Sequence, residues 1–222
     1  FYPHLISTLK SAKTSILFEV YIFRSDTRGK EILDILIQKA NEGLEVKMIL
    51  DAFGSLSRLS KSDKARLKAS KVEVHYFDRV YFPFFNTRLN FRNHRKIIVI
   101  DGFIGYTGGM NIGDEYDNSI LYDYHFRDTH VAVKGDAVKS LVEIFLRDYY
   151  YLTGKVLDFN RFTAPHQIKN QSLNLVMESG PNSKVPYIRD VYLHLIHTAN
   201  QSIKIMTPYM AIDPETFTAL KS

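Results

Sequence analysis

The 222-residue sequence contains no cysteine. That excludes a disulfide framework and any thiolate-held metal, and nothing in the chain calls for an oxidising compartment. It also lacks any apolar run near the ~20 residues that a membrane-spanning helix needs. Its longest runs are short, such as Ile97-Ile98-Val99-Ile100. There is no signal peptide, and residue 1 is Phe rather than Met. The expectation is a chain cut at both ends, with targeting or anchoring segments outside it. Charge of one sign does not dominate: 29 Lys and Arg stand against 24 Asp and Glu, a net +5. This mild bias suits a phosphate-bearing partner or an anionic membrane surface without demanding either. No phosphate-loop or dinucleotide fingerprint occurs. His4, His75, His125, His130, His166, His194 and His197 lack metal-ligand spacing with a third partner, so neither a metal nor a cofactor is expected.

What is present is a folded composition, 45% hydrophobic and 24% charged. Its periodicity is α/β. Helical spacing marks 3–12, 30–41, a short basic stretch at 62–69, and 136–150. Strand patterns mark 15–23, 46–50, 72–77, 95–100, 103–107 and 128–133, with Asp101-Gly102 as a turn. Residues 78–92 read as an aromatic loop, in which Phe82, Phe84 and Phe85 among arginines suit either lipid contact or packing on their own domain. Gly154, Asn160, Pro165 and Asn170 mark a linker over 152–171. Beyond it the pattern predicts a strand at 173–177, a helix at 184–199, a strand at 202–207 and a final helix cut short.

The chain resembles itself at an offset of 187 residues. Ala12 falls on Ala199, Ser15 on Ser202, Ile16 on Ile203, Asp26 on Asp213 and Leu33 on Leu220. Both copies read helix, Ser-Ile, strand, acidic turn, helix. The expected organisation is one domain over 1–160, then a linker and the opening of a second, related domain over 161–222.

The informative segment runs from Asn93-His94-Arg95-Lys96 through the apolar stretch to Asp101-Gly102, and then to Gly108-Gly109-Met110-Asn111. His94 and Lys96 are two apart, so on an extended chain they face the same side. Glycines at 108 and 109 let backbone approach a ligand. A neutral imidazole beside a fixed cation and an amide donor suits attack on phosphorus, with Lys96 and Asn111 stabilising charge on the oxygens. A lone histidine of this kind is most often a satisfied core residue; within the whole pattern the chemical reading prevails.

These residues resemble the phospholipase D superfamily, whose motif is His-x-Lys-x4-Asp followed by Gly-Gly/Ser-x-Asn. The closer resemblance is to bacterial cardiolipin synthases, through Asp51-Ala52-Phe53-Gly54-Ser55, Asn90 to Lys96, Gly108 to Tyr116 and Arg127-Asp128-Thr129-His130. Ser179-Gly180-Pro181 and Thr207-Pro208-Tyr209 look like the opening of that family's second domain. Phe126 stands where the family often has Trp. The family's second His-x-Lys-x4-Asp motif is missing from this chain.

The resemblance implies a phospholipase D-like αβα sandwich, one complete unit and the start of another. It implies that His94 is the phosphohistidine or the general acid, that Lys96 binds phosphate, and that Asp101 organises the site. Asn111, with Gly108 and Gly109, would contact the substrate phosphate, and Asp128 would orient the imidazole. The implied reaction transfers a phosphatidyl group between two phosphatidylglycerol molecules and releases glycerol, at a bacterial cell membrane to which other segments anchor the protein. The missing motif would come from a second domain or a homodimer partner, and nucleic acid is not an expected partner. Two other classes remain open: a phosphodiesterase or nuclease built from two single-motif chains, and an inactive fragment that binds phosphate or membrane.

Overall fold

The computed structural model describes residues 1–77, 92–165, 172–180, 185–207 and 209–221. The expected aromatic loop therefore lies almost entirely outside the described residues, and with it Phe82, Phe84 and Phe85. The chain forms two compact units, Phe1–Val176 and Met177–Ser222.

The first unit is a six-stranded mixed sheet with helices on both faces. In chain order its elements are α1 (Tyr2–Ser11), β1 (Ser15–Val20), α2 (Thr27–Asn41), β2 (Glu45–Asp51), α3 (Ala52–Ser55) and α4 (Lys61–Ala69). Then come β3 (Glu73–Phe77), β4 (Ile97–Ile100), β5 (Ile104–Gly108), β6 (His130–Lys134) and α5 (Asp136–Thr153). The strand order is β3-β2-β1-β4-β5-β6. β1, β2 and β3 pair in parallel, whereas β4, β5 and β6 join antiparallel.

Central strands are buried on both faces, so they read as continuous apolar runs rather than alternations. β1 is buried at all six positions. Period-two geometry then sorts its side chains. Ile16, Phe18 and Val20 join Met48, Leu50, Ile98 and Ile100 in a core shared with α1 and α2. Leu17 joins Ile49, Ile97 and Val99 in a second core under α5, which supplies Val138, Leu141, Val142 and Phe145.

Local chemistry sets the boundaries. The Asp26 side chain accepts from Gly29 N and opens α2, and the Ser60 side chain does the same for α4 through Asp63 N. α5 stops at Gly154 in the left-handed region (φ 69°). Asp101 (φ 55°) and Gly102 (φ 59°) both take left-handed backbone, as the turn between β4 and β5 requires, and Phe103 N donates to Ile100 O at 3.0 Å to close it.

Two expectations are corrected. The stretch read as a linker is ordered over its first half: Phe159–Phe162 form a 3-10 turn, Phe162 is buried, and Leu157 and Phe159 pack on the α5 core. Gly154 and Pro165 punctuate this stretch, but its apolar residues are spaced to cover a layer. In the second unit, α6 (Tyr187–Thr198) and α7 (Pro214–Lys221) form. Residues 173–177 and 202–207 are not strands. Ile203, Ile205 and Met206 remain exposed. A strand exists only through ladder partners, and among the described residues none pairs with these segments.

Candidate active site

The segment before β4 is extended, and its side chains alternate. Ile97 and Val99 belong to the α5 core, Ile98 and Ile100 to the other. Carried backwards, this puts Asn93 and Arg95 on the α5 side and His94 and Lys96 on the opposite side. Asn93 and Lys96 are buried and His94 is exposed.

Lys96 Nζ donates to His94 O at 2.8 Å and lies 3.2 Å from Nδ1 and 3.4 Å from Nε2 of the imidazole. The Tyr21 ring packs on both, 4.5 Å from the His94 ring and 5.4 Å from Nζ. Burial pushes the Lys96 ammonium down to about 8, against the pull of Asp128 and Asp51. Burial and the Lys96 charge together lower His94, again opposed by Asp128. The pair therefore combines a neutral, accessible imidazole with a poorly solvated cation beside it. The first carries a lone pair able to attack phosphorus, and the second gains most from an arriving anion.

The glycines are needed for close approach. A Cβ on Gly109 would lie 2.0 Å from Asp128 Oδ1, and one on Gly108 (φ +148°) would lie 2.3 Å from Thr129 O. Gly109 N donates to Thr129 O at 2.9 Å. Gly108 pairs with His130 across β5 and β6, one register step beyond Ile97 and Thr107 of β4 and β5. Lys96, Gly108 and His130 thus occupy one row across three strands. His130 is held neutral, lowered to about 4 by burial and by Lys96, and its Nδ1 accepts from Met110 N at 3.3 Å.

Asp128 acts on this cluster through its charge. Its Oδ1 accepts from Thr129 N at 2.7 Å. Among the described residues it makes no hydrogen bond to the His94 ring, so the orienting contact expected of it does not form here. Asn111 sits close by with much of its amide already engaged. Its Oδ1 accepts from Ile22 N at 3.1 Å, and its Nδ2 donates to the Tyr116 hydroxyl at 2.8 Å. The Tyr2 hydroxyl donates to Asn111 O at 2.7 Å. The side chain pins the 110–116 loop to the end of β1, and among the described residues one of its two N–H donors has no partner.

Asp101 is not brought to the others. It lies beyond the far end of β4, where it accepts from Lys13 N, Thr14 N, Thr14 Oγ1 and Ser15 N at 2.7–3.1 Å. Burial opposes ionisation, but the hydrogen bonds from Thr14, Ser15 and Lys13 hold the carboxyl below its ordinary range.

Residue patterns missed the support of this site. Tyr21 reads only as part of a strand, Glu19 and Asp148 belong to no motif, and Asn93 and Arg95 stand in the motif segment with no role assigned to them. One signal was available: Glu19 interrupts an apolar run that the fold buries on both faces.

The family model described as the phospholipase D-like domain of cardiolipin synthase matches residues 5–143. A cardiolipin synthase of Alkalihalophilus pseudofirmus is 40% identical over 222 residues, covering 99% of this chain and 44% of that protein. Cardiolipin synthase 2 of Bacillus cereus is 42% identical over 219 residues, 98% of this chain and 42% of that protein. The chain thus spans less than half the length of these curated relatives. Among solved structures, a phosphatidylserine synthase from Haemophilus influenzae superimposes with a TM-score of 0.51 at 22% identity, over 76% of this chain and 38% of that one. That likeness identifies the layered fold.

Proposed function

The chain belongs to the family of phospholipase D-like cardiolipin synthase domains, and from that premise we propose that it supplies one of two histidine sites of a phosphatidyltransferase. A nitrogen of the neutral His94 imidazole attacks the phosphorus of one phosphatidylglycerol. The phosphorus–oxygen bond to glycerol breaks, and the departing oxygen takes a proton from a second histidine. That histidine then removes the proton from the hydroxyl of a second phosphatidylglycerol, which attacks the phosphoryl-histidine. The phosphorus–nitrogen bond breaks and cardiolipin forms. Lys96 stabilises the charge on the non-bridging oxygens throughout. The observation that carries this reading is the juxtaposition of the accessible imidazole and the buried ammonium.

The two-step displacement needs a proton donor besides His94. In this reading residues 161–222 open a second domain, and the second histidine comes from such a domain or from another copy. The substrate's acyl chains place the work at a membrane surface. Among the described residues no helix is long and apolar enough to cross a membrane.

The test is conversion of labelled phosphatidylglycerol to cardiolipin by the whole protein and by His94→Asn, followed by thin-layer separation. Removing the nucleophile or acid is expected to cost at least about 10³-fold in turnover, with the fold retained because the side chain is exposed. Near-normal transfer by His94→Asn would overturn the assignment.

A further inference from the structure

Glu19 is the one ionisable residue of β1, a strand buried along its whole length, and it is 1% exposed. Its neighbours across the sheet are Ile49 on β2 and Ile97 on β4. A carboxyl group in such a row survives only with partners of its own. Asn93 Nδ2 donates to Glu19 Oε1 at 2.5 Å and to Asp148 Oδ2, on α5, at 3.2 Å. The orientation of that amide is determined, because Asn93 Oδ1 accepts the Arg95 backbone N–H at 3.0 Å. Arg95 Nη1 then donates to the same Asp148 Oδ2 at 2.6 Å. On the β2 side, Asn93 N donates to Asp51 Oδ2 at 3.1 Å, and Gly54 N donates to Asp51 Oδ1 at 2.8 Å.

Among the described residues, Glu19, Asp148 and Arg95 do not balance in charge if both acids are ionised. One guanidinium, from Arg95, meets Asp148, which shares an amide donor with Glu19. Burial and then the Asp148 charge push the Glu19 carboxyl well above the ordinary range. Its second oxygen, Oε2, is buried and meets no donor among the described residues, while a hydrogen bond between the Glu19 and Asp148 carboxyls, which needs a proton on one of them, also raises Glu19. A proton on Glu19 leaves the Glu19, Asp148 and Arg95 group with one negative and one positive charge, so that these three balance.

His94 lies between the two gripped residues. Because the segment is extended, tying Asn93 and Arg95 down on the α5 side sets the direction in which the His94 side chain leaves the backbone on the other side. We propose that Glu19 and Asp148 are positioning residues for His94, a buried carboxyl pair holding one proton that grips Asn93 and Arg95 on either side of the imidazole. The proposal rests on the reading of His94 as the reacting group. It adds the two acids that aim it.

The test compares Glu19→Gln with Glu19→Leu in the whole protein. Glutamine reproduces the protonated acid: its oxygen accepts from Asn93 and its amide donates to Asp148. Leucine keeps the volume and removes both bonds. The readouts are the ring signals of His94 by nitrogen-detected NMR, which need no substrate, and kcat and KM for phosphatidyl transfer. Glu19→Gln is expected to keep the ring signals and hold kcat within about twofold, whereas Glu19→Leu shifts the signals and lowers kcat about tenfold to hundredfold with KM nearly unchanged. A Glu19→Leu protein with unmoved His94 signals and normal kcat would overturn the proposal. So would Glu19→Gln falling as far as Glu19→Leu, since an ionised carboxylate would then be required. Should Glu19→Leu not fold, the carboxyl carbon of Glu19 in the unaltered protein decides: it is expected to stay protonated through neutral pH, and titration in the ordinary carboxylate range would sink the idea. The ring signals and the carboxyl carbon are read without turnover, so the proposal stands or fails separately from the transfer reaction, which His94→Asn tests.

Discussion

At the far end of β4, Asp101 gives its carboxylate to four donors of the 13–15 loop. At the near end, Lys96 carries a buried ammonium beside a carbonyl oxygen, an imidazole and the Tyr21 ring. A strand rises about 3.3 Å per residue, so the five steps from Lys96 to Asp101 span about 16 Å. The spacing His-x-Lys-x4-Asp therefore joins two devices. One is a buried, poorly solvated charge, on which the proposed phosphate contact rests. The other is a fully satisfied clamp that seats the β4–β5 turn against the start of β1. Sequence proximity made them look like one constellation, and the pleated strand separates them.

The largest effect that would sharpen this contrast is expected at Lys96. Lys96→Met should lower turnover by about 10²-fold or more, since the developing phosphoryl charge loses its cation. It should not lower stability. The Lys96 pKa is depressed from its unfolded value of 10.5 to about 8. Between these values the unfolded chain binds the extra proton, so stability rises with pH there, and below about 8 the buried ammonium is a burden on the fold. The variant should therefore melt at or above the unaltered protein at pH 7, by calorimetry. In the unaltered protein, kcat/KM should fall as the pH passes about 8 and the free ammonium deprotonates. Activity that keeps rising well above that pH would break the assignment of Lys96 as the working cation.

A smaller effect is expected at Gly109. An alanine Cβ there would collide with the Asp128 carboxylate, which must swing away. The site would keep His94 and Lys96 but lose a negative charge that favours their protonated forms. Gly109→Ala should reduce turnover about tenfold, and the alkaline limb of its kcat/KM profile should move to lower pH. An unmoved limb would mean that Asp128 does not act on Lys96.

The smallest effect on chemistry is expected at Asp101. Asparagine tolerates the left-handed backbone of this turn, so Asp101→Asn keeps the turn while removing the charge and the acceptor oxygen that faces Lys13 N. It should cost about 1–3 kcal/mol of stability, read by denaturant unfolding near neutral pH, with turnover per folded molecule within about twofold. The sign follows from the lowered pKa. Asp101 stabilises the fold above its ordinary titration range, and that contribution disappears as the pH falls through the lowered value. The two proteins should thus converge in stability under acid. A large loss of turnover with stability intact would return Asp101 to the reacting centre.

Much of the fold could be read from residue patterns because the signals are local. Apolar spacing located α1, α2, α5 and the strands of the first unit to within a few residues. Asp101-Gly102 announced its turn, since few residue pairs accept two successive left-handed positions. The pairing of His94 with Lys96 was equally local, because two residues apart on an extended chain share a face. The predicted strands at 173–177 and 202–207 failed for the complementary reason. Their residues have strand character, but a strand needs neighbours that pair with it.

The sequence by itself determined which segments extend, which coil, and that a histidine and a lysine project together beside a glycine pair. Tertiary structure decided the rest. Placing β6 beside β5 brought His130 to the row of Gly108 and Asp128 against Gly109, both within electrostatic reach of Lys96. Laying α5 across β1 brought Asp148 to Glu19 and Asn93. It also buried the single acid of β1 beside a second carboxyl, and the burial and that neighbouring charge push its pKa well above the ordinary range. The same order of strands sent Asp101 to the opposite end of the sheet from the imidazole. Periodicity reports which face of its own element a residue occupies. Burial, proton affinity and hydrogen-bond partners depend on what lies across that face, and only the packing of distant elements supplies it.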